Sequence, residues 1–355
     1  MRSKYARTPL LITSDVPSDP LFTEDTPQLA VARDKEVGGL EKLLVSLTKE
    51  CLMIQKHPRK ALCRFLLSSK LMEPRKFRND PLLTSCESLD KSMCSELKRG
   101  PAYARIICNK LCEFSLQAVV RLNALKTIQS PSGVQLRRDD EKWRVSWGDA
   151  SIYIEDGLLN RLQRMYRKKN TMTDYIPSDE HFKRRLFCIL MRYKSLGGKD
   201  NMTKNGFCFA PPPKMLSEET WSAFRELGVT KECMASPFNS SAQRFWSAFG
   251  DTDCFFGSEG SFFDASDEEL REGGSFMANG PPVEEILEAL ETRIVEVLEQ
   301  NTEPTSFIVC CPNWPDMLCW KSLEHSPYLV FHLNECRAYI HGKLLFFVLQ
   351  NEAGR

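Results

Sequence analysis

Apolar residues recur along the first part of this chain at the spacing of amphipathic helices. Leucines at every third or fourth position predict a helix over 40–47, and a second helical pattern follows over 61–71. A longer apolar stripe begins after Pro101, a residue type that favours the first turn of a helix. Residues 1–35 are rich in Pro, Ser, Thr and Asp without periodicity, so we expect a flexible tail there.

The periodicity then changes to that of β-strands. Trp143, Val145 and Trp147 alternate with polar residues, Gly148 and Asp149 can turn the chain, and the alternation resumes beyond them. This pattern predicts a β-hairpin.

Short apolar runs separated by helical or polar stretches dominate beyond residue 200. They predict buried strands over 232–235, 307–311, 328–333 and 344–349. A further strand, with the sequence GSFMAN, ends at Asn279, and the next three residues, GPP, prevent a strand or a helix from continuing. A helix follows with this apolar face: Val283, Ile286, Leu287, Leu290, Ile294, Val297 and Leu298. In an open α/β sheet, ligands bind at the carboxyl ends of the strands, so Asn279 is placed to face a ligand crevice.

An asparagine at such a position suits the methylation of an exocyclic amine. The amide oxygen of Asn279 and a neighbouring backbone carbonyl are both acceptors, and together they can hold the two hydrogens of an adenine amino group. Proline stiffens the turn and removes a competing N–H. The alternative is a strand-to-helix turn with proline in the first helical turn and no chemical role.

Four sequence blocks occur in order around this turn. They are KECMASPFN from Lys231, SAFGDTDCFFGS from Ser247, GSFMANGPP from Gly274 and PTSFIVCCPNW from Pro304. They resemble the blocks ECFASPLN, SAFPDTDGYFGS, GSFEANPPF and SFIVFIPEW of the phosphorylated-CTD-interacting-factor family, the cap-specific adenosine N6-methyltransferases. The resemblance covers residues 192–354. It departs where the family's NPPF is NGPP and where the segment after Trp314 is shorter, and no WW domain is found.

The resemblance implies a Rossmann-like class I methyltransferase core, in an α/β fold, that uses S-adenosylmethionine. The implied cofactor-binding residues are Ser236, Pro237, Phe238, Asn239 and Asn279. The implied catalytic motif is Asn279, Gly280, Pro281 and Pro282. The implied substrate is adenosine at or near the cap of an mRNA, and a further implied partner is the phosphorylated C-terminal tail of RNA polymerase II. The implied location is the nucleus, with the cytoplasm as the alternative.

The divergent NGPP leaves two functional readings open. In the first, the enzyme is active, because Asn279 is present, the Gly280 carbonyl can accept a hydrogen bond and Pro281 still stiffens the turn. In the second, a catalytically inactive core binds capped RNA or the polymerase tail. The aromatic residue that ends the family motif is Pro282 here, and the loss of one stacking ring costs about 1–3 kcal/mol per base. A nearby ring, Phe238 or Trp314, could replace it. A scaffold without any ligand would leave the ordered blocks unexplained.

Basic and aromatic residues are interleaved between residues 161 and 199. Cations can bind phosphates and rings can stack on bases, so this pattern suits an RNA strand. The predicted RNA-binding residues are Lys183, Arg184, Arg185, Arg192 and Trp314. The alternative is a solvated helix face whose rings, Tyr166, Tyr175, Phe182 and Tyr193, pack inward.

Composition narrows the class of protein. Hydrophobic residues make up 42% and charged residues 27%, the values of an ordinary globular protein, and the net charge of +1 gives no global attraction to RNA. The longest apolar run, 344–349, is too short to span a bilayer, and no membrane partner is predicted. The 14 cysteines fit buried thiols better than a zinc site, which could otherwise be built from Cys310, Cys311, Cys319, Cys336 and either His325 or His332.

We predict a tail over 1–35, a helical module with a small hairpin over 36–199 and the methyltransferase core over 200–355.

Overall fold

A computed structural model describes residues 25–73, 80–84, 93, 97, 100–125, 133–170, 178–197, 201–202, 218–338 and 342–355. Its first helices are α1 (Pro27–Leu47), α2 (Leu52–Lys56), α3 (Pro58–Met72) and α4 (Pro101–Leu125). The helices predicted over 40–47 and 61–71 and from Pro101 are confirmed. Their buried leucines, isoleucines and phenylalanines belong to one apolar cluster.

The first helix begins earlier than the sequence pattern predicts. Thr26 caps it, since its hydroxyl oxygen accepts a hydrogen bond from a backbone N–H of the first turn at 3.3 Å. Residues 27–35, expected to belong to the flexible tail, are therefore helical. Arg33 accounts for the difference, because its buried guanidinium pairs with Asp25 and Asp80, at 3.0 Å from each carboxylate.

Four strands form a small sheet after these helices. In sheet order they are β1 (Gln135–Asp139), β2 (Lys142–Trp147), β3 (Ala150–Glu155) and β4 (Asn201–Met202). The predicted hairpin is confirmed as β2 and β3, with Trp147 opposite Ala150 and Gly148 at φ +53° in the turn, a conformation that glycine adopts without strain. Strands β1 and β4 lie outside the prediction, and β4 pairs with β3 in parallel.

Two helices lie between strands β3 and β4 along the chain. These are α5 (Asp156–Asn170) and α6 (Asp179–Gly197). Their rings Tyr166, Phe182 and Tyr193 are buried in the apolar cluster of the helices, so they pack inward and do not accompany the basic side chains on the surface. Tyr175 lies outside the described residues.

A six-stranded mixed sheet organises the rest of the chain. Its strands are β5 (Val229–Ala235), β6 (Arg244–Ser247), β7 (Gly274–Asn279), β8 (Thr305–Pro312), β9 (Leu329–Ala338) and β10 (Gly342–Gln350). The helices between and before them are α7 (Glu218–Glu226), α8 (Gly250–Asp253), α9 (Asp267–Leu270), α10 (Glu284–Gln300) and α11 (Leu318–Glu324). The strands predicted over 232–235, 307–311, 328–333 and 344–349 are confirmed as parts of β5, β8, β9 and β10, whereas β6 was missed.

The strand order in this sheet is β6-β5-β7-β8-β10-β9. Strands β6, β5, β7 and β8 are parallel, and β10 runs antiparallel to both of its neighbours. From β5 the chain moves to one side to form β6 and then crosses to the other side to form β7. The topology therefore reverses between β5 and β7, and their carboxyl ends border the crevice in which open α/β sheets bind ligands.

The two predicted parts of the chain share an apolar core. Phe238, Phe249 and Phe256, which follow β5 and β6, belong to the same buried cluster as helices α1 to α6. The expected boundary at residue 200 thus lies between strands and helices that pack against each other. Residues 203–217 lie outside the described residues.

Candidate active site

Asn279 lies at the carboxyl end of β7, as predicted. The strand reaches this point through Phe276, Met277 and Ala278, which are all fully buried. Asn279 is opposite Cys310 of β8 and is 8% exposed. Among the described residues, its side-chain amide has no hydrogen-bond partner. An amide without a partner, on a largely buried residue at the mouth of a crevice, is poised to bind a ligand.

The three residues after Asn279 turn the chain into helix α10. Val283 donates its backbone N–H to the Pro281 carbonyl at 2.7 Å, so that carbonyl is engaged. The Gly280 carbonyl receives no hydrogen bond within the part of the chain that the structure describes. Helix α10 begins at Glu284, and its predicted apolar face is buried from Ile286 to Leu298. The Gly280 carbonyl, which directly follows Asn279 in the chain, therefore remains able to accept a hydrogen bond.

The predicted cofactor residues form a tight turn directly after β5. The backbone N–H and the hydroxyl of Ser236 both donate to Asn239 Oδ1, each at 2.8 Å. The Ser240 N–H donates to the Ser236 carbonyl at 2.9 Å. Strand β5 pairs in parallel with β7 as far as Glu232 and Met277, and it ends at Ala235, directly before this turn. The turn and Asn279 thus lie side by side at the same edge of the sheet.

Two side chains from helices α5 and α6 hold this turn. Arg161 donates to the Pro237 carbonyl through Nε at 2.8 Å and to the Ser240 carbonyl and hydroxyl through Nη2, the latter at 2.9 Å. The ring of Tyr193 meets the buried ring of Phe238 edge to face, with centroids 4.9 Å apart. Phe238 is therefore packed under the turn, away from a base on which it could stack.

A buried carboxylate lies on the other side of Tyr193. The Tyr193 hydroxyl donates to Asp253 at 2.7 Å, and the Thr252 hydroxyl donates to the same carboxylate at 3.0 Å. Burial raises the pKa of Asp253 to about 7, although the hydrogen bond from Tyr193 opposes this shift. In β5, burial likewise raises the pKa of Glu232 to about 7, against the hydrogen bond from the Ser241 N–H at 2.9 Å.

Arg192 differs from its predicted role in RNA binding. Its side chain is fully buried, and Nη2 pairs with Asp25 at 2.9 Å and with Asp251 at 2.7 Å. Burial alone would lower the pKa of Arg192, but Asp251 and Asp25 raise it above its ordinary value. A phosphate could reach this guanidinium only by replacing buried ion pairs. Arg192 of α6 therefore connects the segment just before α1 with α8, and does not belong to an RNA-binding surface.

The other predicted RNA-binding cations differ in how accessible they are. Arg184 is exposed. Lys183 is one-quarter exposed and pairs with Asp179 at 2.5 Å, within the same helix. The guanidinium of Arg185 lies 3.8 Å from the ring centre of Phe255, and burial lowers its pKa. Only Arg184 of these three is fully presented to solvent.

Trp314 follows β8 at the same edge of the sheet as Asn279. It is 36% exposed, and its backbone N–H donates to the Pro312 carbonyl at 2.8 Å. Because β8 is the neighbour of β7, the Trp314 ring is a partly exposed aromatic surface beyond the Asn279 strand.

The chain is similar to proteins of one known family. The family model described as the phosphorylated CTD interacting factor 1 WW domain matches residues 161–342, just over half of the chain. The chain belongs to the phosphorylated CTD interacting factor 1 family. It is also 36% identical over 135 residues to two proteins named mRNA (2'-O-methyladenosine-N(6)-)-methyltransferase, one from Mus musculus and one from Homo sapiens. Each alignment covers 38% of this chain and 18% of the relative, so the chain spans less than a fifth of the relatives' length.

The position at which this chain departs from the family motif has a structural context. A Cβ added to Gly280 would lie 3.1 Å from Leu287 Cδ2 and 3.2 Å from Leu290 Cδ2. Gly280 therefore lies where two leucines of helix α10 leave little room for a side chain. The family's WW domain, expected to be absent, is named in the description of the matching model. The described residues within the matched range form helices, β4 of the small sheet and strands β5 to β9 of the mixed sheet.

The described residues also bear on metal and membrane binding. They contain no group of three or more His, Cys, Asp or Glu side chains placed to hold a metal ion. Cys310, Cys311 and Cys319 are buried thiols. Burial raises the pKa of Cys311 to about 12. No described helix is both long and apolar enough to cross a bilayer.

Sequence reasoning missed the residues that support the site. In the sequence, Arg161 is one of several basic residues between 161 and 199. Nothing in that pattern shows that its side chain binds backbone carbonyls instead of facing solvent. Tyr193 carried no signal beyond its aromatic character. Both contacts are long-range, and only the packing of α5 and α6 on the turn after β5 brings them together.

Proposed function

We propose that this chain transfers a methyl group from S-adenosylmethionine to the N6 amine of adenosine at or near an mRNA cap. The observation that carries the proposal is Asn279, a largely buried residue at the topological switch point whose side-chain amide has no hydrogen-bond partner among the described residues. The Gly280 carbonyl, which follows it in the chain, likewise accepts no hydrogen bond from a described residue. The proposal is supported by membership of the phosphorylated CTD interacting factor 1 family and by the names of the murine and human relatives.

The mixed sheet supports a Rossmann-like methyltransferase core. Four parallel strands, a reversal of order between β5 and β7, and ligand-facing turns after both strands are the features of a doubly wound nucleotide-binding fold. The antiparallel β10, placed between β8 and β9, completes the sheet.

The residues at this edge fit the methyl donor. Ser236, Pro237, Phe238 and Asn239 would hold S-adenosylmethionine, and Asn279 would lie against it. The bound cofactor supplies an electrophilic methyl group on a positively charged sulfur. The Asn279 Oδ1 atom and the Gly280 carbonyl would accept the two amine hydrogens of adenine, which orients the nitrogen lone pair. Two acceptors are needed because the amine is a weak nucleophile whose lone pair is delocalised into the ring.

The RNA would approach along the edge that carries Trp314 and the exposed face of helices α5 and α6. Trp314 offers a stacking surface in place of the aromatic residue that Pro282 replaces in the family motif. Arg184 and Lys183 would contact phosphates, with Arg185 behind them. By family membership, the phosphorylated C-terminal tail of RNA polymerase II is a proposed partner and the nucleus a proposed location.

A second function is favoured by the Gly280 and Pro282 departures alone. In it, the core binds capped RNA or the phosphorylated polymerase tail without turnover. Calorimetric titration with S-adenosylmethionine, followed by transfer of labelled methyl to capped RNA that begins with adenosine, separates the two. Cofactor binding with transfer supports the enzyme, and cofactor binding without transfer supports the inactive form. No cofactor binding contradicts the proposed cofactor site.

A further inference from the structure

The turn over 236–240 is closed by its own bonds but needs other contacts to fix its orientation. Its internal hydrogen bonds, from Ser236 to Asn239 and from Ser240 to Ser236, determine its shape. They join residues at most four apart, so they do not determine how the turn sits on the sheet. A turn that binds a ligand through its backbone must be held in one orientation before the ligand arrives.

Arg161, on helix α5 of the helical module, holds the turn in one orientation. Its guanidinium spans the turn, because Nε binds the carbonyl of Pro237 and Nη2 binds both the carbonyl and the hydroxyl of Ser240. A planar guanidinium can make parallel bonds of this kind at fixed spacing, which the single ammonium of lysine cannot reproduce.

The surroundings of Arg161 show that its guanidinium is not simply exposed to solvent. No ion pair to Arg161 is formed among the described residues, and burial lowers the pKa of its guanidinium, with Glu232 acting in the opposite direction. Its hydrogen bonds are directed at one turn. The neighbouring Arg164, one helical turn away, is exposed.

Tyr193 fixes the turn from beneath. Its ring packs edge to face against Phe238, and its hydroxyl is held by Asp253 at 2.7 Å. Phe238 is 3% exposed, so the ring is a buried anchor for the backbone of the turn. Helices α5 and α6 therefore grip the turn at its carbonyls and at its one large side chain.

We infer that Arg161 is a positioning residue that holds the proposed cofactor turn in its binding conformation, with Tyr193 as a second anchor. The inference rests on the proposed function, since it assumes that this turn binds S-adenosylmethionine. The sequence predicts only RNA contacts for this part of the helical module. The inference gives the module a second role, in cofactor binding.

The test compares S-adenosylmethionine affinity in the full chain and in the variant Arg161→Lys. Lysine keeps the charge and most of the stem but loses the fork, so we expect the dissociation constant to rise by about tenfold or more. The KM for S-adenosylmethionine should rise in parallel, while kcat at saturating cofactor changes less than threefold. A matched control is Arg121→Lys, which alters an exposed two-pronged contact with Glu36 and should leave the affinity unchanged.

A second variant keeps the inference testable if Arg161→Lys fails to fold. Ser240→Ala removes only the hydroxyl acceptor of Arg161, and we expect it to weaken cofactor binding by about threefold to tenfold. Thermal unfolding of each variant shows whether the fold is intact. Wild-type affinity in a folded Arg161→Lys, or in Ser240→Ala when the first does not fold, overturns the inference. Absence of binding in the wild-type chain instead contradicts the proposed function itself.

Discussion

At the scale of single residues, the site depends on how two side chains are presented. Asn279 owes its free amide to a buried strand that ends at the sheet edge and to two prolines that stop it. Trp314 owes its exposed ring to its place just beyond the neighbouring strand. Phe238, the other ring considered for stacking, is buried under Tyr193 and is not available to a base.

This arrangement predicts the effect of restoring the motif's aromatic residue. Pro282 is half-buried, and Pro282→Phe adds a second ring where Trp314 is proposed to stack on the base, so the two rings should collide and the single-turnover rate should fall by about tenfold. Gly280 should stay unchanged in this variant, because a side chain there would crowd Leu287 and Leu290. Rates on one capped RNA, at saturating cofactor, provide the measurement. A rise of about tenfold to a hundredfold would mean that no ring stacks on the base in the wild type, and would contradict the role proposed for Trp314.

At the scale of elements, helices α5 and α6 carry two different kinds of basic residue. Arg192 is buried in a network with Asp25 and Asp251, whereas Arg167 and Arg184 are exposed. The same helices that offer cations to solvent therefore also join the two parts of the chain.

The exposed cations predict a change in the salt dependence of RNA binding. Reversal of both charges, Arg167→Glu with Arg184→Glu, should weaken binding and reduce the slope of log K against log salt by about 0.7 for each lost phosphate contact. Cofactor affinity should stay constant. The matched control is Lys60→Glu, an exposed position on α3. If the slope of the double variant equals that of the wild type, the RNA surface lies elsewhere on the molecule.

The buried network predicts a cost in stability. Arg192→Met leaves the carboxylate of Asp251 buried without its cation, which should lower the free energy of unfolding by about 3–5 kcal/mol. Arg121→Met removes an exposed pair with Glu36 and should cost no more than about 1 kcal/mol. Urea denaturation of the two variants under one condition makes the comparison. Equal losses in both variants would contradict the account of Arg192 as an internal connector.

The sequence predicted elements better than contacts. Local patterns identify the hairpin, the helix starting at Pro101 and the turn at Asn279, because periodicity and proline act within a few residues. The roles of Arg161 and Arg192 depend on partners 76 and 59 residues away. Composition alone cannot distinguish an arginine that binds phosphate from one that binds a carbonyl or a buried aspartate. The start of α1 was missed because its anchor, Arg33 with Asp80, is also long-range.

At the scale of the whole molecule, burial of acidic groups beside the site makes stability depend on pH. Burial raises the pKa of Glu232 from 4.5 to about 7, so the folded chain binds this proton more tightly than the unfolded chain. The stabilisation is therefore complete below about pH 4.5 and is lost as the pH rises through about 7.

Glu232→Gln should reduce this dependence. The wild type is expected to lose about 3 kcal/mol more between pH 4.5 and pH 8 than the variant does. A slope persists in the variant, because Asp253 has a raised pKa of the same sign. Denaturant midpoints across this pH range provide the measurement, with Glu324→Gln on α11 as the control. Identical pH profiles for wild type and Glu232→Gln would contradict the assigned shift.

The central claim is that the whole chain methylates RNA at an amine held by Asn279. Transfer of labelled methyl from S-adenosylmethionine to capped RNA beginning with adenosine tests it most directly, with wild type, Asn279→Ala and the exposed-site control Asn160→Ala compared at equal concentration. The account predicts transfer by the wild type and by Asn160→Ala, and no transfer above background by a folded Asn279→Ala that still unfolds near the wild-type temperature. Near wild-type transfer by Asn279→Ala, or no transfer by a wild-type chain that binds the cofactor, would contradict it.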